Sequence, residues 1–131
     1  MELDVPSDLG IVGDAVELIA SHVPPGTLSP RRISFNLRTA LAEALTNAMT
    51  YGSRLDPAKA VTVRVEVTVQ AVRIDVQDAG DGFDPAGVPD PTIPDNLPKE
   101  FGRGLFVLRH LVDEVSFNPK GNVICLTLRA G

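Results

Sequence analysis

Valine occupies every odd position from Val61 to Val69, with Thr62, Arg64, Glu66 and Thr68 between, and no other feature constrains the fold of this chain as strongly. Successive side chains of a strand point to opposite faces, so this spacing predicts a strand with one buried and one solvated face. A sheet that is wet on one side is normally antiparallel, with the rest of the domain stacked on its dry side. Gln70-Ala71 makes a tight connection to a second strand, Val72 to Gln77, in which Val72, Ile74 and Val76 face inward. Leu3 and Val5, alternating with Glu2 and Asp4, predict a short strand over Met1 to Val5. Val115 to Phe117 and Val123 to Leu128, joined by the turn Asn118 to Asn122, complete the sheet.

The remaining segments read as helices and one long loop. Pro6-Ser7-Asp8 starts a helix carrying Leu9, Val12, Val16, Ile19 and Val23 at helical spacing, weakened by Gly10 and Gly13 and ended by Pro24-Pro25-Gly26. Ser29-Pro30 supplies a cap and first turn for a second helix, whose apolar stripe is Ile33, Leu37, Leu41, Ala44, Leu45 and Ala48 and whose stop is Gly52. The stretch from Asp84 to Glu100 contains Pro85, Pro89, Pro91, Pro94 and Pro98 with little periodicity, and predicts a lid-like loop over about 84–103. A short helix over Leu105 to Val112 follows. The sum is one domain over 1–131, of α+β class: a two-layer sandwich with helices on one face of a mainly antiparallel sheet.

Charge and cysteine usage narrow the function classes. Twelve Lys and Arg stand against 17 Asp and Glu, for a net charge of −5, and the basic residues are scattered. That argues against direct nucleic-acid binding. No apolar run approaches a membrane span and no basic-then-apolar leader opens the sequence, so a cytoplasmic protein is expected, with no membrane partner. Cys125, alone in an apolar run, is expected to be a small buried hydrophobe, and the single cysteine leaves no zinc or disulfide framework. His22 and His110 lack neighbours at ligand spacing.

Three features carry candidate chemistry. Glu43 and Asn47, four residues apart, stack on one flank of the second helix with Asn36, beside the small Ala40 and Ala44. They either face a ligand next to the core or are ordinary solvated positions. Asp78 continues the inward alternation of Val76, a costly place for a carboxylate unless something hydrogen-bonds it. Ala79-Gly80-Asp81-Gly82 after it either lets backbone approach a ligand closely or is simply a capped turn. Gly102-Arg103-Gly104, ahead of the third helix, either offers free N–H groups to a phosphate or is a hinge. Neither glycine cluster completes a dinucleotide fingerprint, and phosphate-loop, calcium-loop, zinc-protease and esterase motifs are missing.

Taken in order, these three features resemble the GHKL ATPases, the superfamily of gyrase, histidine kinases and mismatch-repair ATPases, over essentially the whole chain. Within it, Glu43-Ala44-Leu45-Thr46-Asn47-Ala48 and the run Gly102-Arg103-Gly104-Leu105 through Val115 resemble the bacterial anti-sigma-factor serine kinases. The resemblance implies a histidine-kinase-like ATP-binding fold and ATP and Mg²⁺ as cofactors. It implies Asn47 as the Mg²⁺ ligand and Glu43 as the general base or positioner of the attacking hydroxyl. Asp78 would accept the adenine amino group, Gly80 and Gly82 would admit the adenine, and Gly102, Arg103, Gly104 and Leu105 would form the second glycine box around the phosphates. It further implies a STAS-type anti-anti-sigma protein as substrate, a sigma factor as binding partner, and the homodimers that family members often form. Tyr51 stands where the family usually has His, Glu100 lies near the place of an Arg for which Lys99 or Arg103 would substitute, and Gly121-Asn122-Val123 replaces a commoner Gly-Thr-Thr. Tyr51 and Glu100 motivate a rival reading, a non-catalytic nucleotide-binding switch; a switch kinase acting on a phosphatase is a third.

Overall fold

The computed structural model describes residues 1–80 and 99–130, with side chains for 1–80 and 103–130. Five strands form one sheet: β1 (Glu2–Pro6), β2 (Ala60–Val67), β3 (Ala71–Gln77), β4 (Glu114–Phe117) and β5 (Val123–Arg129). Their order is β1-β2-β3-β5-β4, and every pairing is antiparallel. The register sets the alternating apolar residues in continuous rows. Leu3, Val63, Val76, Ile124 and Phe117 lie side by side across all five strands, and Val65, Ile74, Leu126 and Val115 form the next row. The opposite face carries Thr62, Arg64, Glu66, Arg73 and Asp75, none of them buried.

Two of the five aligned valines do not reach the core. Val69 is 92% exposed and Val67 lies at the border of exposure, because the strand ends at Val67. Thr68 turns the chain instead, its Oγ1 accepting from the N–H groups of Gln70 and Ala71. Cys125 also departs from expectation. It alternates out of the buried set between Ile124 and Leu126, and its Sγ faces Arg73 on the outer face at 3.6 Å.

Among the described residues, three helices cover the dry face. Asp8 caps a short 3₁₀ turn, Leu9–Ile11, through the Gly10 N–H at 2.9 Å, and α1 (Val12–Ser21) follows. α2 proper is Arg38–Asn47, continuous with π-helical turns Arg32–Leu37 before it and Ala48–Gly52 after it. Its start is capped as the sequence leads one to expect, the Arg32 N–H donating to Ser29 Oγ at 3.2 Å. α2 packs against both α1 and α3, and buries Leu37, Leu41, Leu45 and Met49 completely.

α3 spans Lys99–Leu111 and so corrects the expected lid boundary. Residues 99–103 are helical and do not belong to a loop; the remainder of the expected lid, 84–98, lies outside the described residues. The far end of α3 is latched to α2. Asn36 Nδ2 donates to the Leu111 carbonyl at 2.9 Å, which places Asn36 at a helix end away from Glu43 and Asn47. Arg32 bonds Asp113 Oδ2 at 2.8 Å and the Arg129 carbonyl at 2.6 Å, while the Arg129 N–H also donates to Asp113.

The Arg32 guanidinium, with the Arg129 N–H, holds the Asp113 carboxyl below its ordinary value. A depressed carboxylate stabilises the fold above its unfolded pKa of about 3.9, and that contribution is lost as pH falls through the lower folded value. Asp113→Asn is therefore expected to cost about 1 kcal/mol at neutral pH, given the partial exposure of the pair. Urea melts at stepped pH should show the difference from wild type closing on the acid side.

Candidate functional site

α2 carries the site along one flank, in two parts a little over one turn apart. At mid-helix, Asn47 is 9% exposed and its Nδ2 has no hydrogen-bond partner. A buried amide left unpaired costs about 1–3 kcal/mol, so its presence needs an explanation outside the packing of the helix. Glu43, partly buried, lies one turn earlier on the same flank. The surface that covers both is the backbone of α3: a Cβ built on Gly104 would stand 2.7 Å from Asn47 Nδ2 and closer still to Glu43 Oε1. Real Cβ atoms essentially never come that near, so any other residue at 104 would push these two side-chain ends aside, and glycine is what lets α3 lie over them undisturbed.

At the end of α2 the same device recurs against β3. Asp78 follows the strand directly, half-buried, its N–H donating to the Asn122 carbonyl at 2.9 Å. Its Oδ1 accepts the Gly80 N–H at 2.7 Å. The other oxygen, Oδ2, faces Gly52. Burial pushes the Asp78 carboxyl above its ordinary value, against the opposing pull of the Gly80 N–H and the Lys120 charge.

Of the three features the structure brings Glu43 and Asn47 against Gly104, and Asp78 against Gly80. The second glycine box needs correction. Gly102-Arg103-Gly104 does not precede the helix but lies within α3, and the Gly104 N–H in its second turn belongs to the intrahelical ladder. Leu105 is 2% exposed and packs in the core, so it supports α3 and is not turned to a ligand. Arg103 is exposed. Gly82 lies outside the described residues, as do the side chains of Lys99 and Glu100. Tyr51 packs against the core from the last π turn.

Sequence reasoning missed the contact role of Gly52, which it took for a helix stop. Gly52 keeps ordinary helical backbone; the left-handed residues that end the helix are Arg54 and Leu55, at φ 55° and 58°. No spacing rule reveals such a contact, because it joins α2 to a residue 26 positions later.

These features fit a nucleotide with its metal. A carboxylate oxygen beside a glycine suits a base amino group; the unpartnered Asn47 N–H suits an acceptor such as a phosphate oxygen, and the oxygen of the same amide is the atom that would face a hydrated Mg²⁺, which takes few protein ligands. Among the described residues no cluster of three or more His, Cys, Asp or Glu could hold a metal ion by itself, as a site completed by phosphate oxygens and water does not require one.

Comparison with known proteins agrees with the fold. A mycobacterial sensor histidine kinase, MprB, superposes with a TM-score of 0.58, covering 99% of this chain and 97% of that one at 18% identity. Comparison with curated proteins finds no match. The sequence pattern of the histidine kinase-like ATPase domain matches residues 5–128, nearly the whole length, and the chain belongs to that family.

Proposed function

We propose that the chain is an ATP- and Mg²⁺-dependent serine/threonine protein kinase of the anti-sigma-factor type. It phosphorylates a STAS-type anti-anti-sigma protein, sequesters a sigma factor, and works as a cytoplasmic homodimer. Family membership implies ATP binding; the kinase reading goes further. The observation that carries it is the mid-helix pair: Asn47 keeps an unpartnered buried amide one turn from Glu43, an arrangement without use in a purely structural helix interface. The order of Glu43, Asn47, Asp78 and the second glycine box, which resembles those kinases, supports the finer assignment.

Each residue then has a defined task. Asn47 supplies an oxygen ligand to Mg²⁺. Asp78 accepts the adenine amino group through Oδ2, the oxygen that Gly80 leaves free. Glu43 takes or orients the proton of the acceptor hydroxyl. Arg103, exposed next to Gly104, is the cation assigned to phosphate charge. Bound MgATP supplies the transferable phosphoryl group. Tyr51 and Glu100, which replace the usual His and Arg of the resemblance, favour the rival reading of a non-catalytic nucleotide switch.

Glu43→Ala separates the two readings. It is expected to lower phosphoryl transfer to STAS-domain proteins of the source organism by roughly 10²-fold or more while ATP affinity stays near wild type. Regulation that survives this change intact in cells would favour the switch. For Asp78 the sign is reversed relative to an ordinary binding residue. Its raised carboxyl contributes stability that is complete below the unfolded pKa and lost as pH rises through the folded one, so the ionised form works against folding at neutral pH. Asp78→Asn should raise the thermal midpoint at pH 7, through a stability gain of about 1 kcal/mol or less after solvent screening. In the same variant ATP affinity should fall by roughly tenfold or more, read by calorimetric titration.

A further inference from the structure

Gly52 and Asp78 are in closer contact than any pair of side chains at those positions would allow. A Cβ built on Gly52 would stand 2.5 Å from Asp78 Cβ, and closer still to its Cγ and Oδ2. Because the obstacle includes Asp78 Cβ, rotating the carboxyl about χ1 does not relieve it. Gly80 locks the same junction from the other side: its own Cβ would stand 3.0 Å from Asp78 Oδ1 and would meet the Gly52 carbonyl oxygen at shorter range. Gly52 has no positive φ, so its backbone conformation is open to any residue and only the space demands glycine.

We propose that Gly52 is a positioning and specificity-determining residue of the base pocket. Its bare Cα lets the last turn of α2 lie flat against the Asp78 carboxyl, which fixes the carboxyl's orientation. With Oδ1 engaged by the Gly80 N–H, Oδ2 stays open as the acceptor for an exocyclic amino group. Among the described residues no donor occupies Oδ2, so of the two carboxyl oxygens it is the one that these residues leave to accept. A methyl group at position 52 covers that oxygen and displaces the strand end that carries it. The inference rests on the reading of Asp78 as the base acceptor and adds the residue that makes this acceptor usable.

The test compares Gly52→Ala, Asp78→Asn and wild type by calorimetric titration with ATP, adenosine and inorganic triphosphate, each with Mg²⁺. Gly52→Ala is expected to lose roughly tenfold or more in affinity for ATP and adenosine while its affinity for triphosphate, which engages only the Asn47 end, is unchanged. ATP affinity within about twofold of wild type would overturn the proposal, and so would equal losses for all three ligands. If Asp78→Asn binds ATP as wild type does, the acceptor reading itself fails; if Asp78→Asn loses ATP and Gly52→Ala does not, only the role of Gly52 falls. Should Gly52→Ala not fold, the exchange variant Gly52→Ala with Asp78→Gly, which removes the opposing Cβ, decides the matter. Recovery of the thermal midpoint of Asp78→Gly alone supports the contact, and continued failure to fold means that glycine serves the helix end and not the carboxyl.

Discussion

The fold depends on backbone meeting side chain at close range along one flank of α2. On its buried side the helix is held by ordinary apolar packing, with Leu37, Leu41, Leu45 and Met49 against the valine rows of the sheet. On the flank it is held by contacts that exclude any neighbouring side chain: Gly104 of α3 over Glu43 and Asn47, and Gly52 itself against Asp78. Apolar packing is non-directional and tolerates exchange among residues of similar volume. The glycine contacts are less forgiving: a carbon added at Gly52 meets Asp78 Cβ and must displace the strand end, and one added at Gly104 must push the Glu43 and Asn47 side-chain ends aside. The apolar side therefore sets where α2 lies, and the flank sets the spacing of the groups that act.

The latch between α2, α3 and β5 shows how that spacing is kept. Asn36 holds the last carbonyl of α3, and Arg32 joins Asp113 to the Arg129 carbonyl, so the C-terminal end of α3 is tied to the π turn at the start of α2. Leu105, Leu108 and Leu111 are all buried and keep the same helix seated along its length. With its far end and its apolar face both fixed, α3 presents Gly104 to Asn47 at a set height. A residue that looked like a third member of the polar flank is in this way part of the frame that positions the other two.

What could be read from the sequence follows from the range of the interaction involved. Periodicity is local, so the valine alternation gave the sheet, and the four-residue spacing brought Glu43 and Asn47 to one flank; Asp78 was placed inward by the same rule. Errors arose where a local rule met a tertiary fact. Val67 and Val69 obey the alternation but lie where Thr68 turns the chain, and Cys125 obeys it too, on the outer face, although its apolar neighbours suggested burial. The start of α3 was hidden because Gly102 and Gly104 lower helix propensity and read as loop. The contacts of Gly52 and Gly104 have no sequence period at all, since each depends on the approach of an element distant in the chain.

Gly102 and Gly104 within α3 also show which demand prevails. In a helix interior glycine is less favourable than alanine by about 0.8–1 kcal/mol, so Gly102 and Gly104 together weaken the opening turns of α3 by about 2 kcal/mol. Alanine at position 104 would strengthen the helix, yet its methyl would be driven into Asn47 Nδ2 and Glu43 Oε1. The unpartnered Asn47 amide adds a further local loss, and the buried Asp78 carboxyl another. Three separate departures from the most stable choice, on three elements, converge on the surface of one helix. Random tolerance would scatter such losses over the molecule; their place along one flank is what a ligand-binding surface on that helix would require.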